Sequence, residues 1–218
     1  TKGLHHAASQ PRFLPGVDLR DKHQLAFLKK LKFAEEFIDI VNAEERSDDI
    51  DCFKIDNQSF ARGDSDFLYQ FIRYIQPNRI VEIGSGDSTK IAQHAIRMNK
   101  INGGVASQHT CFEPYEQPWL EKYSGIQLLR ERVELHDTSW IETLEAGDLL
   151  FIDSSHMIRP QGDVLFEYLA IIPQLQSGVY VHVHDIFTPR DYLSSWIEED
   201  VRFWNEQYLL EVLLSNSM

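Results

Sequence analysis

The chain has 218 residues and a net charge of −13, from 21 basic and 34 acidic residues. That length suits one domain with a substantial core, and the acidity leaves no basic stripe for a nucleic-acid backbone. No apolar run approaches the roughly 20 residues of a membrane span, and the two cysteines, Cys52 and Cys111, make no disulfide framework, as suits reduced thiols in a cytoplasmic protein.

Residues 1–20 hold Pro11, Pro15 and Gly16 and read as an irregular arm. The start, without an initiator Met or an apolar h-region, is no secretory signal and points to a trimmed or incomplete N-terminus. From 22 to 46, Phe27, Leu28, Leu31, Ala34, Phe37, Ile38 and Val41 recur at helical spacing. Lys29, Lys30, Glu35, Glu36 and Asp39 fill the other face. This pattern predicts one amphipathic helix packed on the main domain, because mixed charges suit water better than a membrane surface. Residues 47–51 make an acidic loop. Arm and helix form an N-terminal extension over 1–60, ahead of a main domain over 61–218 that opens with a helix at 66–75.

Ile80-Val81-Glu82-Ile83-Gly84-Ser85-Gly86-Asp87-Ser88-Thr89 is the most informative stretch. A β-branched run reaches an acid, crosses two glycines and enters capping residues: a buried strand, a tight turn and a helix start. Gly84 and Gly86 are expected to take φ > 0, so that backbone N–H groups approach a polar ligand. Thr89 stands where a dinucleotide fold wants a third glycine for close packing. The helix runs over 88–99, with Ile91, Ala92, Ala95 and Ile96 turned to the sheet.

Further strands are expected at 110–113, 126–135, 148–153 and 179–185, with helices at 161–172 and in the second half of 191–214. Three of these strands end in acids, at Glu113, Asp153 and the His184-Asp185 pair. In a parallel sheet those acids share the edge at which open α/β folds bind their ligands. The expected fold is therefore α/β, a Rossmann-like doubly wound, mainly parallel sheet with helices on both faces.

Residues 67–189 resemble class I S-adenosylmethionine-dependent methyltransferases, in particular a bacterial small-molecule group. The motifs that carry the resemblance are E-I-G-S-G-x-S-T at Glu82 to Thr89, F-I-D-x-x-H at Phe151 to His156, and His184-Asp185. The resemblance implies that Glu82, Gly84, Gly86 and Ser88 form the cofactor loop, and that Glu113 takes the ribose hydroxyls. It further implies that Pro114 and Tyr115 flank the adenine and that Asp137 and Thr138 lie near its edge. Members usually finish with a β-hairpin beside the last strand, so a chain stopping at Met218 is expected to lack it, through truncation or a homodimer partner that covers the edge.

On the acceptor side, Asp153, His156 and His184 are the candidate catalytic groups. Several oxygen-directed subgroups hold a divalent ion at positions matching Asp153, His184 and Asp185, with Mg²⁺ or Mn²⁺ as candidates. His156 is the alternative general base, with an unperturbed pKa near 6.5. Two carboxylates brought together need a cation or a proton between them, and either device is open here. The implied function is methyl transfer from S-adenosylmethionine to a small molecule, at a hydroxyl. The alternatives are an NAD-linked oxidoreductase, disfavoured by Thr89 and by the lack of a Tyr-x-x-x-Lys pair, and a cofactor-binding module without catalysis.

Overall fold

The computed structural model describes residues 7–47, 49, 52–115 and 117–215. The expectations for the first six residues, for positions 48, 50 and 51 of the acidic loop and for the last three residues lie outside them. Five strands, β1 (Arg79–Ile83), β2 (Gln108–Phe112), β3 (Gln127–Leu129), β4 (Leu149–Ile152) and β5 (Tyr180–Val183), form one sheet in the order β3-β2-β1-β4-β5. Every pairing is parallel, as the continuous apolar runs predict. The order reverses at β1 and β4, the switch point where such sheets leave a crevice.

Successive strand residues point to opposite faces and feed two cores. Ile80, Leu149 and Phe151 pack with Leu68, Tyr69 and Ile72 of α3 (Asp64–Ile75) and Ile91 and Ala95 of α4 (Asp87–Ile101). Val81, Ile83, Phe112, Leu150 and Ile152 pack on the other face with Val133, Ile141, Leu144 and Ile171. Phe37, Val41, Phe53 and Phe60 from the N-terminal extension sit in the first of these cores.

The expected helix over 22–46 is two helices, α1 (Asp21–Leu28) and α2 (Ala34–Glu44). Both dock on α3, and the break lies where docking requires it. Phe27 meets Phe71 and Tyr74 edge-on, and Phe37 packs on Tyr69. Between them the Phe33 N–H donates to Gln70 Oε1 at 3.2 Å, and the Arg73 guanidinium covers the Phe33 ring. The strand expected over 126–135 is cut to three residues because its partner β2 ends at Phe112, opposite Leu129. The helix expected at 161–172 begins as α5 (Asp163–Phe166), continues as a π-helical turn over Glu167–Ile171 and closes with a 3₁₀ turn at Ile172–Gln174.

Near the C-terminal end, α6 (Ser194–Glu198) and α7 (Glu206–Ser215) are separated by a loop. In that loop the Arg202 guanidinium stacks on Trp196 and Trp204, and Val201, expected on an apolar face, is left exposed. The arm packs back onto this region: Arg12 pairs with Asp191 at 2.9 Å and with Glu211, and its N–H donates to the Pro189 carbonyl. Among the described residues no helix is long and apolar enough to cross a membrane.

One polar contact ties α2 to α3. Glu36 accepts from Tyr69 Oη and Arg73 Nε, both at 2.6 Å, and Arg73 is buried. Burial opposes ionisation of Glu36, but the hydrogen bonds from Arg73 and Tyr69 outweigh it and hold the carboxyl below its usual range. Its contribution is therefore complete above the unfolded-state pKa and is lost as pH falls through the folded value. Glu36→Ala should cost about 2–3 kcal/mol at pH 7, because it strands the buried guanidinium. Urea midpoints at pH 7 and pH 3 check this, and the variant should lose less on acidification than the parent. Equal losses would remove Glu36 from the account.

Candidate active site

The turn after β1 is built around one glycine. Gly84 has φ +81°, and a Cβ there would lie 1.8 Å from the Asp153 carbonyl oxygen, so the backbones after β1 and β4 touch. Gly86 differs from expectation: its φ is −175°, ordinary extended backbone, and its N–H donates to Thr89 Oγ1 at 3.0 Å to start α4. Glu82 is buried beneath this turn. It accepts from Ser88 Oγ at 2.5 Å and Thr89 Oγ1 at 2.7 Å, and contacts His109 Nε2 at 3.1 Å and Cys111 Sγ at 3.4 Å. Ser88 thus points down at Glu82 and fastens the loop from behind. Burial and the neighbouring Glu82 push the Cys111 thiol far above its usual range, so it stays protonated.

A cavity of about 400 Å³ opens beside this turn, at the C-terminal ends of β1, β2 and β4. Gly84, Glu113, Pro114 and Tyr115 line it, and so do Glu134 and Asp153. Glu113 bridges its rim, accepting from the Ser85 N–H at 3.2 Å and the Tyr115 N–H at 3.0 Å. Asp137 and Thr138 are not among the lining residues. The Asp137 carboxylate is exposed and accepts from the Ser139 N–H at 2.8 Å; the Ser139 side chain, and then its N–H, hold it below the usual range. Because β3 ends early, the 3₁₀ turn at Val133–Leu135 reaches the cavity first and presents Glu134. Arg159 and Asp163, from the segment after β4, complete that wall. Neither they nor Glu134 belong to a motif that sequence reading singles out.

At the end nearer β5 the expected acceptor residues converge. Asp153 Oδ1 is 3.1 Å from His156 Nε2 and 3.4 Å from His184 Nδ1; Asp185 Oδ2 is 3.9 and 3.5 Å from the same atoms. Alternation along a strand would separate His184 from Asp185. The strand ends at Val183, however, and Asp185 takes φ +54°, which swings its carboxylate to the same side. His156 is also left-handed, at φ +58°. Such conformations cost energy in non-glycine residues and are held by their surroundings, often at functional sites.

The two imidazoles lie between two carboxylates. Burial disfavours charge on His156, but hydrogen bonds to Asp153 and Glu206 outweigh it and lift its pKa to about 9. Burial likewise disfavours charge on His184, and Asp153, Asp185 and Asp64 lift it to about 12. Asp153 is held well below the usual carboxylate range, its burial outweighed by both histidines. His182 behaves as a core residue: its ring lies 4.7 Å from Phe151, and burial lowers its pKa to about 4.

Asp153, His156 and Asp185 each offer an atom within 4.8 Å of the others, a donor set that could hold a divalent ion, and His184 Nδ1 also lies within 3.5 Å of both carboxylates. The Nδ1 of His156 is 2.8 Å from Glu206 Oε2, the outer partner that a metal-ligating histidine usually has.

Residues 81–186 match the family model described as a methyltransferase domain. An uncharacterized protein of Archaeoglobus fulgidus is 32% identical over 136 residues, which cover 60% of this chain and 59% of that protein. The chain thus spans about three fifths of that relative's length. In fold it is similar to the SAH-bound methyltransferase PaMTH1 of Podospora anserina, with a TM-score of 0.51, 19% identity, and coverage of 95% of this chain and 92% of that one. Residues 81–186 are therefore a methyltransferase domain, set in a chain with the class I fold of S-adenosylmethionine-dependent methyltransferases.

Proposed function

We propose that this chain transfers the methyl group of S-adenosylmethionine to a hydroxyl oxygen of a small molecule. The observation that carries this reading is the cavity that Gly84, Glu113 and Asp153 line together. Asp153, the member of the acceptor cluster that lines it, thus borders the same space as the cofactor residues, as an in-line displacement needs, and orientation in such a space can supply roughly 7–11 kcal/mol of the barrier. S-adenosylmethionine supplies, when bound, a sulfonium methyl carbon that an oxygen takes in line as the carbon–sulfur bond breaks to a neutral thioether. Glu113 would hold the ribose hydroxyls. Asp153 and Asp185 would orient the acceptor hydroxyl, whose proton leaves to the carboxylate–histidine cluster.

His156 carries a proton at neutral pH in this arrangement. As a general base it must first give that proton up, whereas an ion held by Asp153, His156 and Asp185 would replace it and lower the pKa of the acceptor hydroxyl. An NAD-linked oxidoreductase is disfavoured by Thr89, which bonds Glu82 where a dinucleotide fold has its third glycine for close helix–strand packing.

Calorimetric titration with S-adenosylmethionine and with NAD, then a methyl-release assay over a panel of hydroxylated compounds, tests the proposal. The expected result is one-to-one binding of S-adenosylmethionine alone, with turnover of at least one compound; no binding sinks the reading, and binding without any turnover favours a non-catalytic module. Glu113→Ala should weaken cofactor binding by about 1.5–3 kcal/mol, roughly 10- to 150-fold in Kd, by removing charge-assisted hydrogen bonds. Unchanged affinity would take Glu113 out of the site.

A further inference from the structure

Fifty residues beyond His156, α7 brings Glu206 to the other side of its ring. Glu206 is fully buried, and its Oε2 lies 2.8 Å from His156 Nδ1 while its Oε1 accepts from Tyr168 Oη at 3.1 Å. The backbone repeats the connection. The N–H groups of Asn205 and Glu206, at the start of α7, donate to the His156 carbonyl at 2.9 and 3.2 Å. The Trp204 ring closes the remaining side, with its centroid 4.2 Å from the imidazole. The π-helical turn supplies the floor: its wider spacing turns two consecutive residues, Glu167 and Tyr168, inward together.

An imidazole has two nitrogens, and packing alone does not decide which one faces a site. A carboxylate bonded to one nitrogen does, because a ring flip would leave a buried N–H unpaired. We propose that Glu206 is a positioning residue: through Nδ1 it holds the His156 ring with Nε2 facing Asp153 and Asp185. The proposal rests on the reading of that cluster as the methyl-acceptor centre. Glu167 does not compete for Nδ1, since burial and the adjacent Glu206 raise its carboxyl well above the usual range and its Oε2 accepts from Ser154 Oγ.

Proton–nitrogen correlation spectra of the histidine side chains, with calorimetric titration of S-adenosylmethionine and turnover of an acceptor from the panel, test this. Glu206→Ala should lose the protected Nε2 cross-peak of His156 and at least tenfold in kcat, with acceptor KM and cofactor Kd unchanged within about twofold. Glu206→Gln, which keeps an acceptor for Nδ1–H, should retain the cross-peak and most of kcat. Tyr168→Phe removes the other bond to Glu206 and serves as the structural control, near wild type in both readouts. An unchanged Nε2 cross-peak in Glu206→Ala overturns the proposal, and so do equal kcat losses in Glu206→Ala and Tyr168→Phe, which would make Glu206 a helix anchor only. If Glu206→Ala does not fold, loss of the cross-peak and kcat in folded Glu206→Gln overturns it. A parent protein that binds no S-adenosylmethionine, while its cross-peaks respond as expected, fails the methyltransferase reading and leaves the ring geometry standing.

Discussion

Replacing Gly84 by alanine should abolish cofactor binding and destabilise the fold by about 3 kcal/mol or more. Two independent costs meet at this position. A left-handed conformation costs an L-residue roughly 1–2 kcal/mol, and Gly84 has φ +81°. The added methyl would also lie 1.8 Å from the Asp153 carbonyl oxygen, a backbone atom fixed by the N–H of Asp153 donating to the Ile83 carbonyl at 2.8 Å. Overpacking of this kind typically costs about 1–3 kcal/mol more. The strain falls on the two backbones that frame the cavity, so the pocket and the sheet edge move together. Gly86→Ala is the contrast: its φ is extended and the nearest neighbouring atom to a new Cβ is 4.0 Å away. That variant should stay close to the parent in stability. Urea titration and calorimetry on both variants check the pair, and wild-type cofactor affinity in Gly84→Ala would refute the placement of the cofactor against this turn.

Asp153→Asn should cut methyl transfer at least 10²-fold, within the range of about 10² to 10⁴ that a positioned acid or base supplies, and change the cofactor Kd only a few-fold. The substitution preserves shape and removes the charge that both histidines face at 3.1 and 3.4 Å. With that charge gone, the pKa values of His156 and His184 should both fall from about 9 and about 12. Side-chain NMR titration reads this shift without any acceptor. A chelator separates the two ways Asp153 can serve. If the parent treated with chelator drops to the level of the variant and Mn²⁺ restores it, Asp153, His156 and Asp185 act by holding an ion. If chelation changes nothing, the histidines alone balance the two carboxylates. Full turnover by Asp153→Asn would defeat both versions.

Much of the fold was legible because parallel strands advertise themselves locally. Four short apolar runs end in Glu82-Ile83, Glu113, Asp153 and His184-Asp185; those of β1 and β4, at the centre of the sheet, are buried along nearly their whole length, so their composition needs no knowledge of neighbours. Their common edge follows from their being parallel, and with it the meeting of Gly84, Glu113 and Asp153 around one cavity. The Gly84 requirement was legible for the same reason: a turn between a strand and a helix shows its chemistry within a few residues.

Other features depended on contacts distant in sequence. The helical period over 22–46 is continuous in sequence, but docking of Phe27, Phe33 and Phe37 onto α3 breaks it. The length of β3 was set by where β2 ends, not by its own residues, and that displaced Asp137 and brought Glu134 to the wall. Ser88, a capping residue that the resemblance places in the cofactor loop, is turned to a carboxylate six residues earlier. The acceptor cluster shows the division most sharply. Asp153, His156, His184 and Asp185 are visible as motif residues, yet Glu206, which touches His156 at 2.8 Å, sits in an unremarkable apolar helix. A motif records what the chain does over a few residues; a hydrogen bond across fifty residues leaves no trace in either segment, because each partner alone is an ordinary histidine or an ordinary glutamate. Local backbone chemistry therefore lay within reach of the sequence, whereas the charge of the two histidines and the orientation of His156 were decided only when Asp153, Asp185 and the C-terminal helix residue Glu206 met around them.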